Sequence, residues 1–180
     1  MDDALLISAL MQGDEAAFRQ VLRANGDALF AFLARLSGDR ELAQELLQQT
    51  WLALAESARR LDPRTPLRPW LFTVARNAYW SHVRWSRLDL TRLAELALWR
   101  REWVDVRSPE QQAGQSEAVR RVEQAVAKLS AKYREALLLI SQGLDPAEAA
   151  AVVGVAPEAF RQRLSRGRAA LDVLLGADHD

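Results

Sequence analysis

Between residues 59 and 87, arginines and aromatic rings interleave. The run reads RRLDPRTPLRPWLFTVARNAYWSHVRWSR and includes Trp70, Arg76, Tyr79, Trp80, His82, Arg84, Trp85 and Arg87. Rings among guanidinium groups suit single-stranded nucleic acid, because unpaired bases stack on rings while arginine neutralises phosphate. Trp70 is read as core, and Trp80 and Trp85 stay open between core and base stacking. A second basic cluster lies at 160–168, where FRQRLSRGR holds four Arg and no acid. Bond-making chemistry has no comparable support. His82 and His179 are the only histidines, and cysteine is absent. No phosphate-binding glycine loop, dinucleotide glycine pattern or metal-ligand spacing occurs. The expectation is a binding protein with no metal and no cofactor, not an enzyme.

Formal net charge is zero, but the charge is segregated. Residues 1–58 hold 4 Arg against 9 Asp and Glu, while residues 59–107 hold 11 Arg against 5 acids. Nucleic acid feels such a local field, since charges are screened within about 10 Å. About half the residues are hydrophobic, which is enough to build cores. The absence of cysteine suits a reducing compartment. The start MDDALLISALMQGDE lacks the basic opening of a signal peptide, and no apolar run nears the roughly 18 residues of a membrane span. The expected location is the cytoplasm.

Helical periodicity dominates. Asp14 is placed to cap a helix with Phe18, Leu22, Leu29, Phe32, Leu33 and Leu36 on one stripe. Gly38 and Asp39 stop it and start the next, which runs to about Arg60 with Leu42, Leu46, Leu47, Trp51 and Leu54 on its apolar side. The segment LDPRTPLRP, with three prolines in nine residues, breaks the pattern. A helix restarts near Leu67 and carries Trp70, Leu71 and Val74 inward. Residues 88–103 form an amphipathic stretch with Leu90, Leu93, Leu96 and Trp103. Residues 104–117, polar and containing Pro109 and Gly114, make the best linker. Helices over about 118–129, 131–142, 146–153 and 157–175 follow. The expected architecture is all-α: two small helical domains, 1–88 and 118–180, joined by a partly helical linker, 89–117.

The last two helices carry a helix-turn-helix pattern. Asp145 is an N-cap, Pro146 fits the first helical position, and Glu148 completes a capping box. Ala147, Ala149, Ala150 and Ala151 let a second helix approach, Gly154 makes the turn, and Phe160 anchors the second helix. Phe160, Leu164, Gly167 and Leu171 share one face. Glu158, Arg161, Gln162, Ser165, Arg166 and Arg168 fall on the exposed sides. Early residues of such a helix reach base edges and later arginines hold phosphate. Ala156 stands at the cap position of this helix and has no side-chain acceptor.

The stretch GDREXAXXLXQXXW from Gly38 to Trp51, the Asp62-Pro63 pair and the run WLFTVARN from Trp70 to Asn77 together resemble region two of the extracytoplasmic-function sigma factors. Residues 118–175 resemble their region four. The resemblance implies a sigma factor that binds RNA polymerase core and directs it to promoters. It also implies that Glu45, Gln48 and Gln49 face the polymerase clamp. The loop Leu61–Pro69, with Arg64 and Arg68, would capture a flipped promoter base, and Arg76, Asn77, Trp80 and Arg84 would contact the minus-ten element as single strand. Arg161, Gln162, Ser165 and Arg166 would read the minus-thirty-five duplex, flanked by Glu158 and Arg168. An anti-sigma protein is an implied partner. Gln49 and Ser81 depart from acids common in the family, and Trp99 and Trp103 in the linker are not required by its pattern.

Two other readings stay open. An ordinary operator-binding regulator would explain the helix-turn-helix but not the basic, aromatic segment 59–87. A sigma mimic would keep the fold and bind an anti-sigma protein in place of DNA.

Overall fold

The computed structural model describes residues 3–92 and 117–177. The predicted linker and most of the 88–103 stretch therefore lie outside the described residues. The helices in order are α1 (Asp3–Met11), α2 (Glu15–Ser37), α3 (Arg40–Ser57), a 3-10 turn (Ala58–Arg60), α4 (Leu67–Arg92), α5 (Glu117–Lys128), α6 (Ala131–Ser141), α7 (Pro146–Val153) and α8 (Pro157–Ala177). No strand occurs among the described residues, so the all-α expectation holds. Contacts divide the described residues into two compact units. One comprises α1 to α4 without Ala34–Arg40, and the other comprises α5 to α8 with Ala34–Arg40.

In the first unit, helix starts and stops follow local chemistry. Asp14 Oδ1 accepts from the Ala16 and Ala17 N–H groups at 2.7 and 3.4 Å, satisfying donors that the first turn of α2 leaves open. At Gly38 the backbone turns left-handed, φ +70°, which a glycine adopts without strain. The predicted end of α3 at Arg60 includes the 3-10 turn that tightens its last residues. The prolines interrupt the chain at 61–66, and α4 restarts at Leu67 as expected.

The core of this unit forms where Phe32 of α2 meets Phe72 of α4 edge to face, centroids 5.4 Å apart. Leu29, Leu33, Leu46, Leu54 and Leu71 surround it with no exposed surface. Two buried polar groups are satisfied locally: Thr50 Oγ1 donates to Leu46 O at 2.8 Å, and Asn25 Nδ2 to Val21 O at 3.1 Å. The rotation of α4 differs from the predicted one. Trp70 and Val74, expected inward, are half-buried, and the seam runs through Leu71, Phe72, Ala75 and Tyr79. Both stripes have helical spacing; Phe32 selects the one bearing Phe72.

In the second unit, α6 and α7 pack on α8. The predicted capping box is present: Asp145 Oδ1 accepts from the Ala147 and Glu148 N–H groups at 2.7 and 2.8 Å, and the Asp145 N–H donates to Glu148 Oε2 at 2.9 Å. Gly154 closes α7 at φ +74°. Ala149, Ala150, Val152, Leu139 and Phe160 make the core. Gly167 faces α6 closely enough that a Cβ there would lie 3.4 Å from Tyr133 Cβ. One methyl fits that gap and a branched side chain does not. Gly167→Ala is therefore expected to leave stability unchanged or raise it by up to ~1 kcal/mol. Gly167→Leu should lower stability by ~1–3 kcal/mol through overpacking, read by thermal unfolding.

Candidate nucleic-acid interface

Along α4 the buried seam leaves an opposite face. Asn77 and Arg84 are exposed, and Arg76 and Trp80 are half-buried on its flank. Arg84 Nη2 donates to Ser81 Oγ at 2.9 Å, and Trp80 meets Tyr79 edge to face at 5.2 Å. Tyr79 itself is buried, so it belongs to the core and not to the ring-bearing face. Trp85, open in the sequence, is 68% exposed.

The loop before α4 holds an ordered turn. The Thr65 N–H donates to Asp62 O at 2.8 Å. The Arg64 N–H and Nε donate to Asp62 Oδ1 at 2.9 and 3.2 Å, and Nη2 to Oδ2 at 2.8 Å. These bonds, the side-chain one first, pull the Asp62 carboxyl down to about 2. Asp62 therefore stays ionised through all ordinary pH, and the pair loosens only as pH falls through that value. Arg68, predicted to act with Arg64, is placed differently. Its Nη1 donates to Asn25 Oδ1 at 3.2 Å and its guanidinium lies 5.4 Å from the centre of the Phe72 ring. Arg64 is offered to solvent, while Arg68 is bound to the core.

On α8, Glu158, Arg161, Gln162, Ser165, Arg166 and Arg168 are all exposed, opposite the buried Phe160, Leu164 and Gly167. Glu158 Oε2 accepts from Arg161 Nε at 3.1 Å. A cleft between the start of α7 and α8 is lined by Pro146, Arg161, Leu164, Ser165 and Arg168. It gathers three of the predicted contacts, Arg161, Ser165 and Arg168, on one cleft. Arg163 in the same basic run does not join them. Its Nη1 lies 3.8 Å from Oε2 of the fully buried Glu135 on α6. Its three-residue spacing from Phe160 was the available sign that it sits on the inner side.

On α3, Glu45, Gln48 and Gln49 are exposed on one face, opposite buried Leu42, Leu46 and Leu54. Leu52, which sequence reasoning did not single out, is 62% exposed and continues that face at spacings of three, four and seven. Among the described residues no cluster of His, Asp or Glu could hold a metal, and no helix is long and apolar enough to cross a membrane.

Residues 21–87 match sigma-70 region 2, and residues 120–171 match sigma-70 region 4. The RNA polymerase sigma factor CnrH of Cupriavidus metallidurans is 32% identical, over 99% of this chain and 96% of its own length. The sigma factor CarQ of Myxococcus xanthus is 31% identical, over 91% of this chain and 92% of its own. The chain belongs to the extracytoplasmic-function group of the sigma-70 family. As a sigma factor it acts in promoter recognition and transcription initiation, and such factors are regulatory proteins. Among solved structures, the sigma factor RpoE of Bartonella quintana, crystallised with the anti-sigma factor NepR, matches with TM-score 0.77. It is 29% identical, over 90% of this chain and 98% of that one. CnrH in complex with the cytosolic domain of CnrY matches with TM-score 0.73 and 27% identity over 99% of both chains.

The contrast between Arg64 and Arg68 has a measurable consequence. Arg68→Ala removes a hydrogen bond and a cation–π contact and should destabilise the fold by ~1–2 kcal/mol. Arg64→Ala should change stability by less than ~0.5 kcal/mol, as exposed substitutions do. Denaturant unfolding of the two variants distinguishes them, and equal losses would contradict the placement of Arg68.

Proposed function

We propose that this sigma factor divides its task among three surfaces. In this reading residues 1–88 form region 2, 89–117 the linker and 118–180 region 4. The α3 face bearing Glu45, Gln48 and Gln49 binds the polymerase clamp. Arg76, Asn77, Trp80 and Arg84, with Arg64 of the preceding loop and Arg68 of the first turn of α4, take the minus-ten element as single strand. Glu158, Arg161, Gln162, Ser165, Arg166 and Arg168 read the minus-thirty-five duplex from the major groove. The supporting observation is the α8 arrangement: six polar or charged side chains face solvent from a helix anchored by Phe160 in a capped helix-turn-helix. Within that set the Arg68 guanidinium is also engaged with Asn25 and Phe72, so it holds the start of α4 as well.

Two solved relatives were captured with protein partners, one of them named an anti-sigma factor. By that likeness this chain too is held by an anti-sigma protein until released, and it acts where RNA polymerase is, in the cytoplasm. A sigma mimic would share the fold and the partner but would not engage core enzyme. Purified core polymerase pulls down the chain if it is a sigma factor and fails to if it is a mimic or an ordinary operator-binding regulator.

Two variants test the surfaces. Glu45→Arg combined with Gln48→Arg should weaken core binding with the helical circular-dichroism signal intact, and unchanged affinity would remove α3 from the interface. Arg166→Ala should lose ~1–3 kcal/mol of duplex affinity and relax preference at one base pair if it grips a base. A uniform loss over all sequences would make it a phosphate contact. No loss would take it out of the interface.

A further inference from the structure

The start of α4 has a defect that its own sequence does not repair. Pro66 is the N-cap, since its carbonyl accepts from the Trp70 N–H at 3.1 Å. Proline has no side-chain oxygen with which to cap the first turn, and that turn carries no acidic residue. The acceptor comes from elsewhere in the chain. Asp3, the first residue of α1, places Oδ2 3.1 Å from the Leu67 N–H, across 64 residues of sequence. One carboxylate thus stands at the N-terminal ends of both α1 and α4, where both helix dipoles favour it.

The rest of α1 holds the other end of the same loop. It packs on the 3-10 turn Ala58–Arg60, with Ile7 and Leu10 buried and Ala58 buried opposite. Leu61 and Leu67, the apolar residues on either side of the tip Asp62–Pro66, are buried as well, while Asp62, Pro63, Arg64 and Pro66 are exposed. The tip is closed on itself by the Asp62–Arg64 bonds and the Thr65 to Asp62 turn. A turn that is rigid inside and pinned at both flanks presents its surface in one orientation. At its downstream flank the Leu67 N–H bond to Asp3 is the long-range backbone tie, and beside it Arg68 Nη1 donates to Asn25 Oδ1 at 3.2 Å. The region 2 match begins at residue 21, so it assigns no role to α1.

We infer that α1 is a brace for the promoter-reading loop, with Asp3 as a positioning residue that sets base selectivity without touching DNA. This rests on the reading of residues 61–69 as a promoter contact. The brace orders the loop before DNA arrives, so selectivity does not have to be bought with ordering entropy at binding.

The test uses the full chain bound to core polymerase and a fork-junction DNA whose unpaired strand carries randomised bases. The bound fraction is sequenced. Asp3→Ala is expected to flatten the base preference at the same positions as a loop replacement in which residues 62–65 become Gly-Ser-Gly-Ser. Asp3→Asn should restore it, because an amide oxygen also caps. Affinity for core enzyme and the helical signal should match wild type in both Asp3 variants, since Ile7 and Leu10 still seat α1. Hydrogen exchange at the Leu67 amide should quicken roughly fivefold in Asp3→Ala, the factor that loss of a cap of about 1 kcal/mol gives. An unchanged base profile in Asp3→Ala, beside a loop replacement that does alter it, overturns the brace and leaves the loop reading standing. An unchanged profile in the loop replacement itself overturns the loop reading, and the brace with it.

Discussion

Each helix proposed to read promoter DNA must bury one face to offer the other. In α4 the buried face is anchored where Phe72 meets Phe32. In α8 it is anchored by Phe160, which has no exposed surface. Rotation about the helix axis then follows. With Leu71, Phe72, Ala75 and Tyr79 inside, Asn77 and Arg84 are outside. With Phe160, Leu164 and Gly167 inside, Arg161, Gln162, Ser165 and Arg166 are outside. A turn of one residue in either helix would move guanidinium groups by 100° and bury charge, which is costly without partners. The apolar contacts therefore set which side chains face outward.

Helix starts supply the second constraint. The first N–H groups of a helix need acceptors, and in this chain carboxylates provide several of them: Asp14 for α2, Asp145 for α7 and Asp3 for α4. The first two caps are local and fix where their helices begin. The third is long-range and ties the N-terminal helix to the loop ahead of α4. An acid also meets a base at Glu135 and Arg163, where a buried carboxylate on α6 faces one arginine of the basic run on the inner side of α8. The acidic excess of the first third of the chain is in part structural, and the exposed arginines that remain are the ones with a free side toward solvent.

Local chemistry was legible in the sequence, and rotation was less so. The α7 boundaries could be read because Asp145, Pro146, Glu148 and Gly154 each have a short-range reason to stand where they do. The six exposed residues of α8 could be read because only one apolar stripe exists there. In α4 two overlapping stripes are available, and Trp70, Leu71 and Val74 look as good as Leu71, Phe72, Ala75 and Tyr79 until Phe32 is placed opposite. The partners of Arg68 were not legible for the same reason: Asn25 and Phe72 are brought to it by packing. The Asp3 cap spans 64 residues, and no local rule points from one end to the other. Leu52 was passed over because a single exposed leucine is ordinary on any surface.

If α4 and α8, in separate compact units, both read promoter DNA, they serve one initiation event. The most direct measurement is to mix purified core polymerase with this chain on sheared genomic DNA and map the 5′ ends of the transcripts made. Discrete starts should appear only when the chain is present, each preceded by two shared sequence blocks at about the minus-ten and minus-thirty-five positions. Starts that are identical with core alone, or that share only one block, would contradict it.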